Sequence, residues 1–352
     1  MLMVLTLHCL AKSGALYEQS GSVNVFYWIL ESLCIPAVDL FMLITGYFSV
    51  NARFRSRNIW RVLVIVWSYS FLTSLLNAQL AGYSMTAKSI MRMLIPIISQ
   101  KYWFVNAWLA LAVISPFLSR LITALSKAQY RFLLCFLLLF MVLRPTLFPR
   151  EWAQDPSTGQ TVFFFIVLYF LAGWLRLYVP LNQLRRIRPI ILRCLYLVLA
   201  FVLAFSRLLM LRLNISEGTA IRFYGYDSVI VVLQAVTLFL LFLVMKPLSE
   251  NTGRIVNALS KNSFAVYVIH FSLNPVLWRV LLPTSRYVSK IGSGFLAIFF
   301  SVCIVYLICI MIEELRLQLF ALFPRNTHLE SLFQKWDALF FEDTSPDAAQ
   351  SF

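Results

Sequence analysis

The chain has 352 residues, of which 61% are hydrophobic and only 13% are charged. A membrane span needs about 20 mostly apolar residues, and the chain supplies many, so this composition excludes a soluble globular protein and indicates one polytopic membrane domain. The net charge of +15 would suit a nucleic-acid-binding protein, but the apolar composition argues against one. We attribute the excess to basic cytoplasmic loops and expect no nucleic-acid partner.

Apolar segments follow one another along the chain and predict an all-α fold, a polytopic integral membrane helical bundle of about ten transmembrane helices. They fall at about 1–11, 27–50, 59–82, 102–123, 130–148, 160–179, 190–211, 225–245, 264–283 and 292–315. The first segment is too short to span a bilayer alone, and we expect the first helix to be N-terminally truncated. The mixed stretch 84–99 suits an interfacial helix.

The distribution of basic residues predicts the orientation. With ten spans and both termini in the cytoplasm, 18 of the 30 Lys and Arg residues fall in inner loops and the tail, and nine fall in outer loops. That bias supports this topology in the inner (plasma) membrane. We divide the chain into a transmembrane domain of residues 1–316 and a cytoplasmic C-terminal tail of residues 317–352, which we expect to be polar and mobile.

The second segment carries two carboxylates in the sequence ESLCIPAVDLFMLITGYF. A carboxylate at the centre of a membrane helix costs roughly 2.5–3.5 kcal/mol. Glu31 lies near the predicted outer end, where it could hold an acceptor or pair with a basic residue. Asp39 lies about 12 Å deeper and points about 80° away, so the two form no acid/base dyad. We expect Asp39 to pair with a buried donor such as His8, and Gly46 to permit close helix approach.

Two of the three histidines fall in apolar segments. Imidazole can act as a general base near neutral pH, so His8 is a candidate catalytic residue; it could also be a buried histidine bonded to a carbonyl. His270 shares a helix face with Ser263, Tyr267 and Asn274, which are spaced 4, 3 and 4 residues apart. Such a stripe lines a bundle interior or wet cavity, or forms a structural hydrogen-bond seam.

The run NARFRSRNIWR places several arginines at the predicted inner start of the third segment. Arg57 and Arg61 are i,i+4 neighbours on one face. Arginine forks suit phosphate oxygens, although basic residues at an inner helix end also serve simply as anchors.

The segment QKYWFVNAWLALAVISPFL begins with aromatic residues that are common at membrane interfaces. Trp103 is one of these, and Asn106, in the same turn, is the less expected residue, so both are candidates for substrate contact. Arg144 and Arg207 lie near predicted outer helix ends, where we expect their side chains to snorkel to the headgroups.

Several chemistries have no signature in the sequence. It contains no P-loop, no Rossmann glycine fingerprint, no HExxH and no GxSxG, which argues against an ATP-driven pump or a zinc protease. The six cysteines form no CxxC motif and no Cys/His cluster, so we expect neither metal nor disulfides.

Four motifs occur in order along the chain: the histidine in VLTLHCL, the second segment AVDLFMLITGYF, the later YWFVNAWLALAVISPFL and the helix NSFAVYVIHFS. As an ordered set they resemble the acyltransferase-3 family of bacterial integral-membrane O-acyltransferases. Together they span residues 1 to about 280. The lead-in ESLCI is most similar to the subgroup associated with capsule, exopolysaccharide or lipid-linked glycan synthesis.

The resemblance implies a mechanism. Acetyl-CoA, the acyl donor, would be used from the cytoplasmic side, and the acetyl group would reach a hydroxyl of a glycan or lipid-linked oligosaccharide. The family's histidine carries over to His8 as general base or transient acyl carrier, and its basic residues carry over to Arg57 and Arg61 as contacts to the CoA phosphates. Glu31, Trp103, Asn106, Tyr267 and His270 are the candidates for substrate binding.

Two other functions remain open on the sequence. A transporter or flippase for a lipid-linked saccharide would equally explain the apolar spans and the polar stripe at His270. A membrane acyltransferase of the MBOAT type would share the donor, but its motifs do not occur in order. The sequence does not specify the acceptor sugar or the oligomeric state.

Overall fold

A computed structural model describes residues 1–82, 84–148, 158–322 and 327–339. The chain is 80% helical, and no strand occurs in these ranges. The predicted all-α class is therefore confirmed, and the helices form one bundle.

Seventeen α-helices occur within the described ranges. They are α1 Leu2–Lys12, α2 Gly21–Cys34, α3 Ala37–Ser49, α4 Ser56–Ala81, α5 Ala87–Leu94, α6 Trp103–Ala124, α7 Lys127–Leu138, α8 Arg144–Leu147, α9 Val162–Tyr178, α10 Leu181–Leu184, α11 Pro189–Arg212, α12 Glu217–Ala220, α13 Val229–Val244, α14 Glu250–Ser260, α15 Ser263–Val276, α16 Ile291–Ala321 and α17 Thr327–Asp337. Two π-helical turns adjoin prolines: Leu139–Leu143 precedes α8 and Leu277–Leu281 follows α15.

Each apolar segment of the sequence coincides with a helix. Seven helical stretches are long and apolar enough to cross a membrane, and α1, α9 and the apolar part of α15 are shorter. The outward faces are apolar: only 22% of the most apolar window of α11 is buried, and Phe201 and Phe205 on it are exposed. A soluble bundle would carry polar residues there, so this surface suits lipid.

The second predicted span is divided between α2 and α3 by a break at Ile35 and Pro36. Beyond the break, α3 packs against α9 at very close range. A Cβ atom built on Gly46 would lie 2.8 Å from Cβ of Ala172 and 3.1 Å from Cα of Tyr169. The predicted role of Gly46 in close helix approach is confirmed, and the neighbouring helix is α9.

The stretch 84–99, expected to lie at the interface, folds back along α4. Ser70 Oγ in the middle of α4 donates to the carbonyl of Met93 at 3.0 Å. Lys101 Nζ then donates to the Ser70 carbonyl at 3.2 Å and to Ser74 Oγ at 3.0 Å. Because Ser70 lies about 16 Å from the end of α4 at Ala81, α6 begins deep within the bundle.

Part of the C-terminal tail forms a helix. Helix α17 docks on the start of α4: Glu330 pairs with Arg57 at 3.0 Å, and the Asp337 carboxylate accepts from the Ser56 backbone N–H at 2.9 Å. The rings of Trp60 and Phe333 add an aromatic contact. Residues 327–337 are thus helical and in contact with α4, whereas residues 340–352 lie outside the described part.

Candidate active site

Two histidine side chains that are 262 residues apart in sequence meet in the bundle interior. His8 Nδ1 lies 2.8 Å from His270 Nε2, and the ring centroids are 5.0 Å apart. His270 is fully buried, whereas His8 is partly exposed. The interior helices α1 and α15 thus supply one imidazole each to a single pair.

The hydrogen bonds of this pair determine its tautomers. His270 Nδ1 lies 2.6 Å from the carbonyl oxygen of Val266, and a carbonyl can only accept, so this nitrogen carries a proton. In a neutral imidazole the other nitrogen is then an acceptor. His270 Nε2 therefore accepts from the Nδ1–H of His8, which leaves the lone pair on Nε2 of His8. That nitrogen can take a proton from a substrate.

The polar stripe predicted on α15 faces the bundle interior. Ser263 is within 3.5 Å of the Tyr306 hydroxyl, and Asn274 accepts from the indole N–H of Trp278. The hydroxyl of Tyr267 is buried without a hydrogen-bond partner in the described part of the chain. The stripe therefore forms hydrogen bonds at its two ends, and near His270 it carries the Tyr267 hydroxyl, a donor without a partner in the described residues.

Aromatic rings connect this pair to α6. Phe271 lies 5.5 Å from the rings of both His8 and Tyr267, and Phe104 lies 5.4 Å from Tyr267. The adjacent Trp103 stacks on Tyr226 at 5.7 Å. The predicted substrate residues Trp103 and Tyr267 are therefore joined to His270 by one set of ring contacts.

Asn106, the other residue predicted on α6, fixes the folded-back segment. Its Nδ2 donates to the carbonyl of Ile97 at 2.9 Å, while its Oδ1 is buried and finds no partner in the described ranges. One half of the amide is thus structural and the other half is available to a ligand.

Asp39 is fully buried, and neither carboxylate oxygen has a hydrogen-bond partner in the described chain. The expected pairing of Asp39 with His8 is therefore wrong, because the Nδ1 of His8 is bonded to His270. An imidazole, and not a carboxylate, orients the ring of His8.

A cavity of about 290 Å³ opens where α3 ends and α4 begins. It is lined by Arg53 and Arg55 from the connecting loop and by Arg120 from α6, and the indole of Trp108 forms part of its wall. The Nε1 of Trp108 is buried without a partner among the described residues. We call this the basic cavity; three guanidinium groups around one concavity suit a polyanion.

The arginines predicted from helical spacing lie beside this cavity but are not part of its lining. Arg57 is paired with Glu330 of α17, and Arg61 is exposed one turn further along α4. The sequence selects Arg57 and Arg61 by their helical spacing, whereas Arg53 belongs to the same basic run without that spacing and Arg120 lies on a distant segment.

A second cavity, of about 560 Å³, lies at the other end of the α2–α3 span. Its lining includes Tyr17, Trp28 and Tyr224 together with Glu31, Ser216 and Thr219. We call it the aromatic cavity. Oε2 of Glu31 is buried there without a hydrogen-bond partner in the described ranges.

Arg207 holds the wall of the aromatic cavity and does not snorkel as expected. It is 4% exposed and forms a fork with Glu217, with Nε–Oε1 at 2.9 Å and Nη2–Oε2 at 3.0 Å. Its guanidinium lies 4.1 Å above the ring of Trp28, and it also donates to Asn24 Oδ1 at 3.2 Å. Its charge is therefore matched within the protein.

Two side chains just before α6 bond to neighbouring helices. Lys101 Nζ donates to Ser70 Oγ and Ser74 Oγ of α4, and the hydroxyl of Tyr102 contacts Ser272 Oγ of α15 at 2.5 Å.

The two cavities lie at opposite ends of the α2–α3 span. Glu31 of the aromatic cavity and Thr45 of the basic cavity are 14 residues apart, or about 21 Å along the helical axis. Asp39 lies between them. All six cysteines are free, and the described residues include no group of three or more His, Cys, Asp or Glu side chains placed to hold a metal ion.

A comparison with protein families matches residues 1–314 to the model of an acyltransferase domain, the acyltransferase-3 family. No curated protein and no solved structure matches the chain. The match covers most of the 352 residues and includes both histidines of the imidazole pair and the arginines of the basic cavity. The chain therefore belongs to the acyltransferase-3 family and is a membrane acyltransferase.

Proposed function

We propose that the protein moves an acetyl group from cytoplasmic acetyl-CoA to a hydroxyl of a cell-surface or lipid-linked glycan of the capsule or exopolysaccharide type. The observation that carries this proposal is the His8–His270 pair, whose hydrogen bonds leave Nε2 of His8 unprotonated. A sugar hydroxyl is a weak nucleophile at neutral pH and needs such a base.

In this reaction the acceptor hydroxyl oxygen attacks the thioester carbonyl carbon. Nε2 of His8 takes the hydroxyl proton as the C–O bond forms. The C–S bond then breaks, and the proton passes from His8 to the leaving thiolate of CoA. His270 stabilises the transient imidazolium because its Nε2 accepts from Nδ1–H of His8 throughout.

The basic cavity is the proposed site for the phosphates of CoA. Arg53, Arg55 and Arg120 surround it, and a multiply anionic donor matches this charge. The unpartnered indole N–H of Trp108 in its wall offers one further donor. The thioester arm would extend from this cavity toward His8.

The decisive experiment replaces the base. In purified protein, His8→Ala should lower the rate of acetyl transfer to the glycan acceptor by about 10²–10⁴-fold, which is the usual contribution of a general base, and should leave acetyl-CoA binding unchanged. Thr6→Ala, on the same helix and outside the imidazole pair, is the matched control. Full activity in His8→Ala would overturn the assignment of His8.

The role of His8 as base, as opposed to acyl carrier, has a separate test. Protein incubated with radiolabelled acetyl-CoA and no acceptor should carry no covalent label, because the proposed reaction forms no acyl-enzyme. Label recovered on a peptide containing His8 would make His8 the carrier instead.

Family membership favours a transferase over the transporter that the sequence left open. Binding of acetyl-CoA, measured by calorimetry, separates the two, because a saccharide transporter has no need of CoA.

A further inference from the structure

The aromatic cavity has the size of a ligand site but no role in binding the donor. Its volume of about 560 Å³ falls within the roughly 300–1,000 Å³ of small-molecule sites. It lies at the opposite end of the α2–α3 span from the basic cavity. A second substrate could therefore enter without displacing CoA.

The polar groups of this cavity suit hydroxyl donors. Oε2 of Glu31 is buried and unpartnered within the described ranges, and a buried carboxylate oxygen without a donor is destabilising. Ser216 and Thr219 add hydroxyls at the rim. A ligand with several hydroxyl groups would satisfy these atoms together.

The aromatic groups provide apolar surface beside those polar atoms. The ring of Tyr17 is 60% exposed at the mouth and meets Trp28 edge-on at 5.9 Å. Tyr224 meets the other edge of Trp28 at 4.9 Å. An aromatic face next to a carboxylate complements a sugar ring, which presents C–H groups on its faces and hydroxyls at its edge.

The charges around the cavity balance one another. Arg207 is neutralised by its fork with Glu217. Arg222 lines the cavity and donates to the backbone carbonyls of Thr146 and Phe148, and its positive charge is offset by the carboxylate of Glu31 in the same lining. A uronic acid or nucleotide would therefore add a negative charge to a balanced site.

Elements that line the cavity also contact elements that carry the imidazole pair and its aromatic neighbours. Helix α2, which carries Glu31, packs against α1, which carries His8. Gly225 lines the cavity, and the next residue, Tyr226, stacks on Trp103, which belongs to the ring contacts around His270.

We propose that the aromatic cavity binds a neutral saccharide unit of the acceptor, with the carboxylate of Glu31 accepting hydrogen bonds from its hydroxyls. This inference rests on the proposed transferase function for its meaning, but it can be tested by binding alone.

The test uses saturation-transfer NMR on the full chain in lipid nanodiscs. The ligands are disaccharides of glucose, galactose or mannose, together with counterparts in which one sugar is a glucuronate. We expect the wild type to bind at least one neutral disaccharide, and to bind it more tightly than its glucuronate counterpart. Absence of binding by every neutral disaccharide, or tighter binding of the glucuronates, would overturn the proposal.

Two variants assign the binding to this cavity. Gly218 lines it, and a Cβ built there meets nothing within 4 Å, so Gly218→Trp should fold and weaken saccharide binding at least tenfold by filling the space. Glu31→Gln should weaken the binding of neutral disaccharides and reduce the difference in affinity between them and their glucuronate counterparts. Gly253→Trp, equally unobstructed but on the exposed helix α14, is the matched control and should bind as the wild type.

Thermal unfolding and acetyl-CoA binding of each variant verify the fold. Unchanged saccharide binding in both Gly218→Trp and Glu31→Gln would refute the cavity assignment even if transfer activity is present. The expected saccharide pattern in a protein that fails to bind acetyl-CoA would support the cavity and refute the transferase proposal instead.

Discussion

The position of one proton determines which imidazole of the pair donates the hydrogen bond and which accepts it. The carbonyl of Val266 requires a proton on Nδ1 of His270, and that proton fixes which nitrogen of His8 is basic. In the proposed reaction, His270 would do for His8 what a carboxylate does in a Ser-His-Asp triad, but as a neutral group. A neutral partner avoids placing a further charge in a fully buried location.

This orientation predicts different effects for two substitutions of His270. Gln places a carbonyl oxygen near the position of Nε2 and can accept from His8, whereas Met fills similar space without an acceptor. We expect His270→Met to lower kcat by about 10–100-fold, the effect typical of removing the hydrogen-bond partner that orients a metal-binding imidazole, and His270→Gln to restore much of it. The KM for acetyl-CoA should stay constant in both variants.

The two variants also differ in their pH profiles. Without an acceptor at His270, the imidazole of His8 can place its proton on either nitrogen, and its imidazolium is less stabilised. The acidic limb of kcat against pH should therefore move to lower pH in His270→Met than in His270→Gln. Equal activity and identical profiles in the two variants would mean that His270 has only a packing role.

Helical periodicity assigns a residue to a face of its helix, and to that extent the candidate residues were predictable from the sequence. The 4, 3, 4 spacing identified the face of His270, and the short first segment identified His8. Their pairing joins positions 262 residues apart, which no local pattern encodes. Asp39 was correctly placed inside the bundle, but helix geometry alone does not name its partner, and the expected pairing with His8 was wrong.

At the scale of the elements, the loop between α3 and α4 separates two sets of arginines. Arg53 and Arg120 line the basic cavity, while Arg57 is engaged by Glu330 and Arg61 lies further along α4. If the cavity holds the CoA phosphates, only the first set should make direct contacts.

We therefore expect the double variant Arg53→Ala/Arg120→Ala to weaken acetyl-CoA binding by about tenfold or more, because a hydrogen bond to a charged group contributes about 1.5–3 kcal/mol and 1.4 kcal/mol is tenfold. The matched control, Arg57→Ala/Arg61→Ala, removes the same net charge and should have a smaller effect. Calorimetry at two salt concentrations measures both. A larger loss of acetyl-CoA affinity in the control would indicate that Arg57 and Arg61, and not Arg53 and Arg120, contact the CoA phosphates.

The contact between α3 and α9 depends on the absence of a side chain at Gly46. A methyl group there would approach the backbone of Tyr169 to 3.1 Å and Cβ of Ala172 to 2.8 Å, so the helices would have to separate. We expect Gly46→Ala to destabilise the protein by about 1–3 kcal/mol, the usual effect of overpacking, measured by thermal unfolding in detergent.

Gly253 on the exposed helix α14 provides the control. A Cβ there meets nothing within 4 Å, so Gly253→Ala should stabilise the helix by about 0.5–1 kcal/mol through reduced backbone entropy. If Gly46→Ala were as stable as Gly253→Ala, the close packing of α3 on α9 would be refuted.

The long apolar helices were predictable because a bilayer requires both length and hydropathy. The elements that differed are short or amphipathic. Helix α17 carries Leu329, Phe333 and Trp336 at helical spacing in THLESLFQKWD, a signal that the polar composition of the tail obscured. Residues 93–101 fold back along α4 through hydrogen bonds from Ser70 to Met93 and from Lys101 to Ser74. A hydropathy profile contains no signal for such contacts.

At the scale of the whole molecule, the proposed reaction would divide its two substrates between the cavities at the ends of the bundle. A donor that is soluble on one side and an acceptor on the other must meet within the protein, and about 21 Å separates Glu31 from Thr45 along the span. The interior histidine pair and its aromatic neighbours lie on helices that pack between these ends. This arrangement requires that the basic cavity open toward the cytoplasm.

The orientation of helix α11 tests that requirement. Its 24 residues extend about 36 Å, so Arg188 and Asn214 emerge at opposite ends of the bundle. The positive-inside rule assigns the arginine-rich end, with Arg185, Arg186 and Arg188, to the cytoplasm. We expect a green fluorescent protein fused after Arg188 to fluoresce, and alkaline phosphatase fused after Asn214 to be active.

The exchanged fusions, alkaline phosphatase after Arg188 and fluorescent protein after Asn214, should both be silent and serve as controls. The reverse pattern would place the basic cavity outside the cell, where it could not meet cytoplasmic acetyl-CoA. Because α3 and α9 run parallel toward this same end, with Gly46 beside Tyr169 and Val50 beside Gly173, that result would exclude Arg53 and Arg120 as donor contacts together with the proposed direction of transfer.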